Sequence, residues 1–349
     1  MGNCLHTSDK LTAEILPHDG AAVYPAVRLH GSPKSVLAVY TRFALLHNAV
    51  SSDTVSAART PSAPPREAAR GGGSMPEIPV TLRLGSGVAL GSSDALLRFI
   101  DSKFPGLSAP AEIAPAVMAA ESGSAGEEET GSLVERVTRL QHKSMTWHVE
   151  KMVRWAEDLA TRGGKKAVDP KVGTWKMEVV KFGRSYSQLL EIMMEHAQME
   201  ERVLFPIFDR ADRGLSKAAK EEHARDLPLM NGIKEIIKSV EVLDSRSPNY
   251  RDTLYNLSTR LKSLQGQCEQ HFMEEDLELL PIMEAVGLSK EQDESALEQC
   301  FVVMQVTHGR LLKFFLEGLT HHDAMKYLDL ISMCRDKERM ESMLRMVVE

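Results

Sequence analysis

The sequence predicts an α+β chain, in which a small α/β unit precedes an all-α, up-down four-helix bundle with extra C-terminal helices. Three observations carry this reading. Residues 26–107 alternate short strand-like and helix-like segments, while residues 132–349 consist almost entirely of long stretches with an apolar residue at every third or fourth position. A motif of histidine and glutamate recurs in that second half at a constant interval. A length of 349 residues leaves room for about two domains.

Residues 1–24 are polar and tail-like. Their start, "MGNCLHTSDK", sets Gly2 and Cys4 as in chains that are N-myristoylated and then S-acylated, although His6 stands where that signal wants Ser or Thr. From Ala26 onward Val27 and Leu29 alternate as in a strand, a Ser-Pro turn follows, and Val36, Tyr40, Phe43 and Leu46 keep helical spacing. Residues 51–76, rich in Ala, Ser, Pro, Arg and Gly, read as a disordered insertion that cannot bury enough apolar surface to order itself. Two short strands then flank the turn at Gly85 to Gly87, and a helix capped by Ser92 or Ser93 completes a β-α-(loop)-β-β-α order over residues 25–107. Residues 108–131 form a small-residue, acidic linker.

Composition excludes several classes of function. With 42 Lys and Arg against 49 Asp and Glu, a formal charge of −7 supplies no basic field for nucleic acid. The cysteines, Cys4, Cys268, Cys300 and Cys334, contain no C-x-x-C pair, which argues against both a disulfide framework and a thiolate zinc site and suits a reducing compartment. No apolar run reaches the roughly 18 residues of a membrane span, and the first twenty residues lack a secretory apolar core. The expected location is cytoplasmic, tethered to the cytosolic face of a membrane where Gly2 and Cys4 are acylated.

The N-terminal segment resembles the thioredoxin-like first domain of glutathione transferases. Pro79 matches the proline after that family's long loop, and Ser93 with Asp94 matches its short acidic turn. The resemblance implies either a transferase, with Ser32 or Ser35 at the place of the thiol-activating hydroxyl, or a docking or structural module of the same shape.

The second half carries the chemistry. "HAQMEERVLFP" at 196–206 and "HFMEEDLELLP" at 271–281 share His, Glu four residues on, Leu at eight and Pro at ten, offset by 75 residues. His148 and His223 are separated by the same 75, so the order reads H, HxxxE, H, HxxxE. Residues four apart share a helix face, so His196 with Glu200 and His271 with Glu275 can both point inward, along apolar seams that include Met145, Met193 and Cys268. Burying two carboxylates in such a core costs several kcal/mol each unless they are neutralised, and no Lys or Arg shares the seam positions beside them. Metal cations are the natural compensation. Four neutral imidazoles and two bridging carboxylates give each of two metals two nitrogens and two oxygens, a mixed set that favours iron or manganese over closed structural zinc.

His142 competes with His148 for the first helix but lies off its apolar seam, so His148 is the expected donor. Glu274 competes with Glu275, and the first repeat has Met199 at that offset. His308, on the spacing Leu297, Phe301, Met304, His308, Leu311, Phe315, reads as a core histidine with a ligand role as its alternative. Pro206, Pro281 and Pro228 are expected to break or kink their helices.

The two HxxxE helices ending in "EERVLFP" and "EDLELLP" resemble the hemerythrin-like, HHE cation-binding domain over residues 132–286. The resemblance implies a non-haem, oxygen-bridged centre of two irons, with manganese as the alternative, that binds dioxygen or another small oxidant or reports iron and redox status. Carried over, its ligands are His148, His196, Glu200, His223, His271 and Glu275, the two glutamates bridging. The oxygen carriers of that family have a fifth His, and an Asp in place of one Glu, which this chain lacks at matching positions; this counts against reversible oxygen carriage. The expected role is iron, oxygen or redox sensing or binding; the alternatives are a di-iron oxidase or peroxide-consuming enzyme, or a glutathione-transferase-like activity of the first half. Residues 292–349 are expected to pack on the bundle as further helices or to recruit a partner.

Overall fold

The computed structural model describes residues 27–31, 41, 45, 52–56, 81–84, 87–90, 131–165 and 173–348. The chain divides into two compact units, Met1–Gly123 and Ser124–Val347. Gly2, Cys4, Ser32, Ser35, Pro79, Ser93 and Asp94 lie outside the described residues.

Among the described residues of the first unit four strands, β1 (Val27–Gly31), β2 (Ser52–Ser56), β3 (Thr81–Leu84) and β4 (Gly87–Leu90), form one sheet in the order β2-β1-β3-β4. β1 runs parallel to β2 with Val27 opposite Ser52, and antiparallel to β3 with Val27 opposite Leu84; β3 and β4 make a hairpin with Leu84 opposite Gly87. Three strands fall where alternation places them. β2 does not: it arises inside the stretch 51–76 whose composition reads as an insertion. Ser52, Asp53 and Ser56 are poor strand formers, and the strand owes its existence to the parallel ladder it makes with β1.

The described part of the second unit is helical. α1 (Leu133–Arg162), α2 (Trp175–Met199), α4 (Lys217–Val242) and α5 (Pro248–Glu274) form the bundle, with the short α3 (Phe205–Ala211) and α6 (Ile282–Val286) at matched places after α2 and α5. Each long helix packs against two others, α1 on α2 and α5, and α4 on α2 and α5. α1 begins at Ser132, whose hydroxyl accepts from the Glu135 N–H, and it ends at Gly163, where φ of 55° suits a residue without a Cβ. The carboxylate of Asp293, far along the chain, accepts from the Leu133 and Val134 N–H groups, so the free donors of α1 are met by a tertiary contact as well. The seams are as the spacing implies, with Val137, Met145, Phe182, Leu189, Leu254, Leu261 and Leu264 buried.

The prolines behave differently from expectation. Pro206 and Pro281 are each preceded by one wide π turn, Glu200–Leu204 and Glu275–Leu279, in which Phe205 N–H donates to the Glu200 carbonyl and Leu280 N–H donates to that of Glu275. Widening the helix there relieves the clash between a proline ring and the carbonyl four residues before it, so the path bulges and continues instead of breaking. Pro228 lies inside α4, which runs on unbroken because Met230, Ile233, Ile237 and Val240 beyond it are buried against the bundle.

After α6 come α7 (Lys290–Val303), α8 (Leu312–Glu317), α9 (His321–Ser332) and α10 (Lys337–Val348). α7, α8 and α9 pack on α1, and their core includes Phe315, Leu316, Tyr327, Leu328, Leu330 and Ile331, all 0% exposed. α1 is therefore buried on two faces, one toward the bundle and one toward these helices. Among the described residues no helix is long and apolar enough to cross a membrane.

Candidate metal centre

Two histidines on α1 fall on different faces, and only one belongs to the cluster. His148 lies toward the C-terminal helices: its Nε2–H donates to the Phe314 carbonyl at 2.8 Å and its ring stacks on Phe314 with centroids 4.0 Å apart. His142 faces the bundle interior with its Nε2 3.5 Å from Glu200 Oε1 and 3.4 Å from Glu275 Oε2. The expectation of His148 is thus corrected to His142. Apolar periodicity treats all buried faces alike, and α1 has two.

The other five residues singled out by spacing converge. His196 Nε2 is 3.0 Å from Glu200 Oε1, His223 Nε2 is 3.3 Å from Glu200 Oε2, and His271 Nε2 is 3.5 Å from Glu275 Oε2. Two groups of four donors result, His142, His196, Glu200 and Glu275, and Glu200, His223, His271 and Glu275, which share both glutamates. Glu274 stays outside, accepting from Gln270, so the glutamate at +4 is the inward one.

Residues that spacing does not reveal orient the imidazoles. Nδ1 of His142 faces Asp276 Oδ1 at 2.9 Å, that of His196 faces Gln141 Oε1 at 2.8 Å, that of His223 faces Glu201 Oε1 at 3.1 Å, and that of His271 faces Glu222 Oε2 at 2.8 Å. All four partners are acceptors, so each Nδ1 carries a proton, and each ring, when neutral, presents its Nε2 lone pair to the interior. Asp276, Glu201 and Glu222 are each adjacent to a cluster residue in sequence, and Gln141 precedes His142. That adjacency is the one sequence signal that could have found them. Gln141 extends the network: its amide donates to the Tyr327 hydroxyl at 3.3 Å, which donates to Nε2 of His308 at 2.7 Å, whose Nδ1–H goes to the Met304 carbonyl at 2.7 Å. His308 is a satisfied core histidine, not part of the cluster.

The donor set fits a pair of cations. Nε2 of His142 and His196 are 3.2 Å apart, as are those of His223 and His271, and two lone pairs at that distance repel unless something positive lies between them. Glu200 Oε2 and both oxygens of Glu275 are buried without a hydrogen-bond partner. Perpendicular bonds of about 2.1 Å to one ion separate two donors by about 3.0 Å, and tetrahedral ones by slightly more, which is the spacing seen.

Charge within the cage follows the same logic. Burial pushes the Glu275 carboxyl up, and the neighbouring Glu200 pushes it further. Burial also works against charge on Glu200, but His196, His142 and His223 outweigh it and hold that carboxyl well below the usual range. Burial holds His196 down to about 4; it opposes charge on His223 too, yet in the absence of a cation the Glu200 and Glu201 carboxylates lift that imidazole to about 9, a proton then standing where a metal ion would.

Two histidines outside the cage set an acid limit on the fold. Burial lowers His148 to about 3 and His308 to about 4, so both are neutral when folded but protonate near 6.5 in the unfolded chain. Their stabilising effect is whole above pH 6.5 and is lost as the pH falls from there toward 4. At pH 5 each costs about 2 kcal/mol. Urea titrations at pH 7 and pH 5 check this: His148→Gln is expected to flatten the loss by about that amount, and an unchanged loss rejects the assignment.

No curated protein and no solved structure matches the chain. Residues 134–283, which span the bundle and both bulges, match the model of the Hemerythrin HHE cation binding domain, and with its cage of histidines and glutamates this helical unit is a metal-binding bundle similar to that domain.

Proposed function

We propose that the bundle holds two first-row transition-metal ions, iron foremost, and serves in iron, oxygen or redox sensing. His142 and His196 would hold one ion, His223 and His271 the other, with Glu200 and Glu275 shared. One observation carries the reading: three partnerless carboxylate oxygens lie buried against four inward imidazole nitrogens whose protons are all committed elsewhere. Two nitrogens and two shared oxygens per ion leave coordination positions open, which suits iron or manganese better than a closed zinc site. When bound, the ions supply redox chemistry and sites for dioxygen or another small oxidant. The chain's own residues orient the imidazoles through Asp276, Gln141, Glu201 and Glu222, and they shield the cage with Phe205, which stacks on His223, and Phe272, which stacks on His142. Support for a sensing role comes from the hydrogen-bonded path from His196 through Gln141 and Tyr327 to His308, which links the cage to the C-terminal helices. For the first unit we infer a thioredoxin-like docking or structural module, a reading supported by its sheet order with one parallel and two antiparallel pairs.

The test is elemental analysis and the visible spectrum of aerobically purified full-length protein. About two irons per chain with near-ultraviolet charge-transfer bands is the expected result; zinc alone, or no metal after growth in iron-replete medium, rejects the reading.

A further inference from the structure

One helical turn from the cage lies a second layer of side chains. Met145 is three residues after His142, Met193 three before His196, Asp226 three after His223 and Cys268 three before His271. Three residues rise about 4.5 Å along a helix, and the alternating offsets put all four at one level of a bundle whose neighbouring helices run in opposite directions. This layer does not close. It lines a cavity of about 270 Å³ whose walls also include Met194, Met230 and Phe272 and whose lower end is formed by His196, His223 and His271.

The walls are mainly thioether and aromatic, with one buried exception. Asp226 is 9% exposed, and its Oδ1 has no hydrogen-bond partner; the nearest cation, Nε of Arg225, is 3.5 Å away on a side chain that is 58% exposed. A buried carboxylate oxygen without a donor is costly, and it is usually met by water or a ligand. The chamber thus offers a hydrogen-bond acceptor set in apolar surroundings, which is the pattern of small-molecule sites.

We propose that this chamber binds a small aromatic molecule of one or two rings with a single hydrogen-bond donor, a phenol-type hydroxyl or an indole-type N–H, directed at Asp226. Size sets the upper bound: an apolar cavity of roughly 150 Å³ holds benzene, so 270 Å³ takes a fused pair of rings or one ring with a short chain. Flexible methionines suit the ring faces, since sulfur packs well against aromatic edges and adapts to their outline. Of the other ionisable groups on the lining, Lys220 and Glu201 belong to exposed residues and His223 is paired with Glu200 and Glu201 at the cage end, so the rest of the interior favours an uncharged body. This inference goes beyond the metal reading and does not depend on it, because Asp226, Cys268 and the methionines are not among the grouped donors.

The test is isothermal titration calorimetry on the full chain with two pairs of probes, indole against N-methylindole and 4-methylphenol against 4-methylanisole. Within at least one pair the donor-bearing molecule is expected to bind at least tenfold more tightly than its methylated partner, and Asp226→Leu is expected to erase that preference. Which pair discriminates tells whether the site takes the N–H or the O–H donor. Saturable binding of neither donor molecule up to its solubility, or equal affinity within both pairs, overturns the proposal without recourse to the variant. Metal content measured on the same samples reports separately on the cage: a chain that loads two ions but ignores the donor rejects the chamber alone, and one that discriminates but loads none rejects the cage alone.

Discussion

His142→Ala is expected to lose at least half of the bound metal per chain, whereas His148→Gln keeps the full complement. The two residues lie six apart on one helix and are equally buried, at 2% and 1% exposure, so burial alone does not distinguish them. What distinguishes them is what their Nε2 atoms face. That of His142 looks at two carboxylates and at the Nε2 of His196, and its loss leaves one group of donors with a single imidazole. That of His148 is already committed to the Phe314 carbonyl, and the glutamine amide can keep that bond. Elemental analysis of the two purified variants reads the result directly. Full loading in His142→Ala together with depletion in His148→Gln would restore the assignment that apolar spacing suggests.

Chelation of the metal is expected to lower the melting temperature by about 10 °C or more. Without cations the cage leaves both oxygens of Glu275 and one of Glu200 buried with no hydrogen-bond partner, and stranding a buried charge in this way costs roughly 3 to 5 kcal/mol. For a unit of this size each kcal/mol moves the midpoint by about 2–4 °C. The sign of a companion variant separates this cause from a general weakening. Glu200→Gln combined with Glu275→Gln removes the buried charge with little change of shape, so the double variant should bind little metal, ignore the chelator, and melt above the stripped wild-type chain. Thermal denaturation with and without chelator, on both proteins, decides it; a double variant that melts below the stripped wild type would show that the carboxylates stabilise the fold by themselves.

Much of the cage is legible in the linear chain because its most informative features are local. His196 with Glu200 and His271 with Glu275 are single helical turns, and a turn puts its first and fifth residues on one face wherever the helix packs. The 75-residue repeat adds His223 for the same reason, since each half contributes one helix with a lone histidine and one with the pair. The repeat misleads only at its first member. His148 satisfies the interval, but α1 is clamped between the bundle and α7 to α9, so a histidine in perfect apolar register can face the wrong core. Phe314, which holds His148, lies 166 residues away, and nothing in the local pattern signals it.

The acceptors that set the imidazole tautomers were hidden for a related reason. Asp276, Glu201 and Glu222 look like ordinary polar residues on solvent-facing turns, and they act only because the π turns and neighbouring helices bring them against Nδ1 atoms. The same holds for the prolines, which by themselves imply a break; the observed bulges reflect the packing of Met199, Val203, Phe205, Leu280 and Met283 around them, and the uninterrupted α4 that of Met230, Ile233, Ile237 and Val240. β2 is the converse case, since a polar segment with little strand preference pairs once β1 provides a ladder.

Residue order alone established that paired histidines and glutamates would meet inside a helical bundle, because helical periodicity is a property of neighbours in the chain. Which of two buried histidines on α1 joined them, which acceptors oriented the rings and where an open chamber remained were decided by the contacts between helices. Those depend on which face each helix presents to which partner, and that choice belongs to the whole fold.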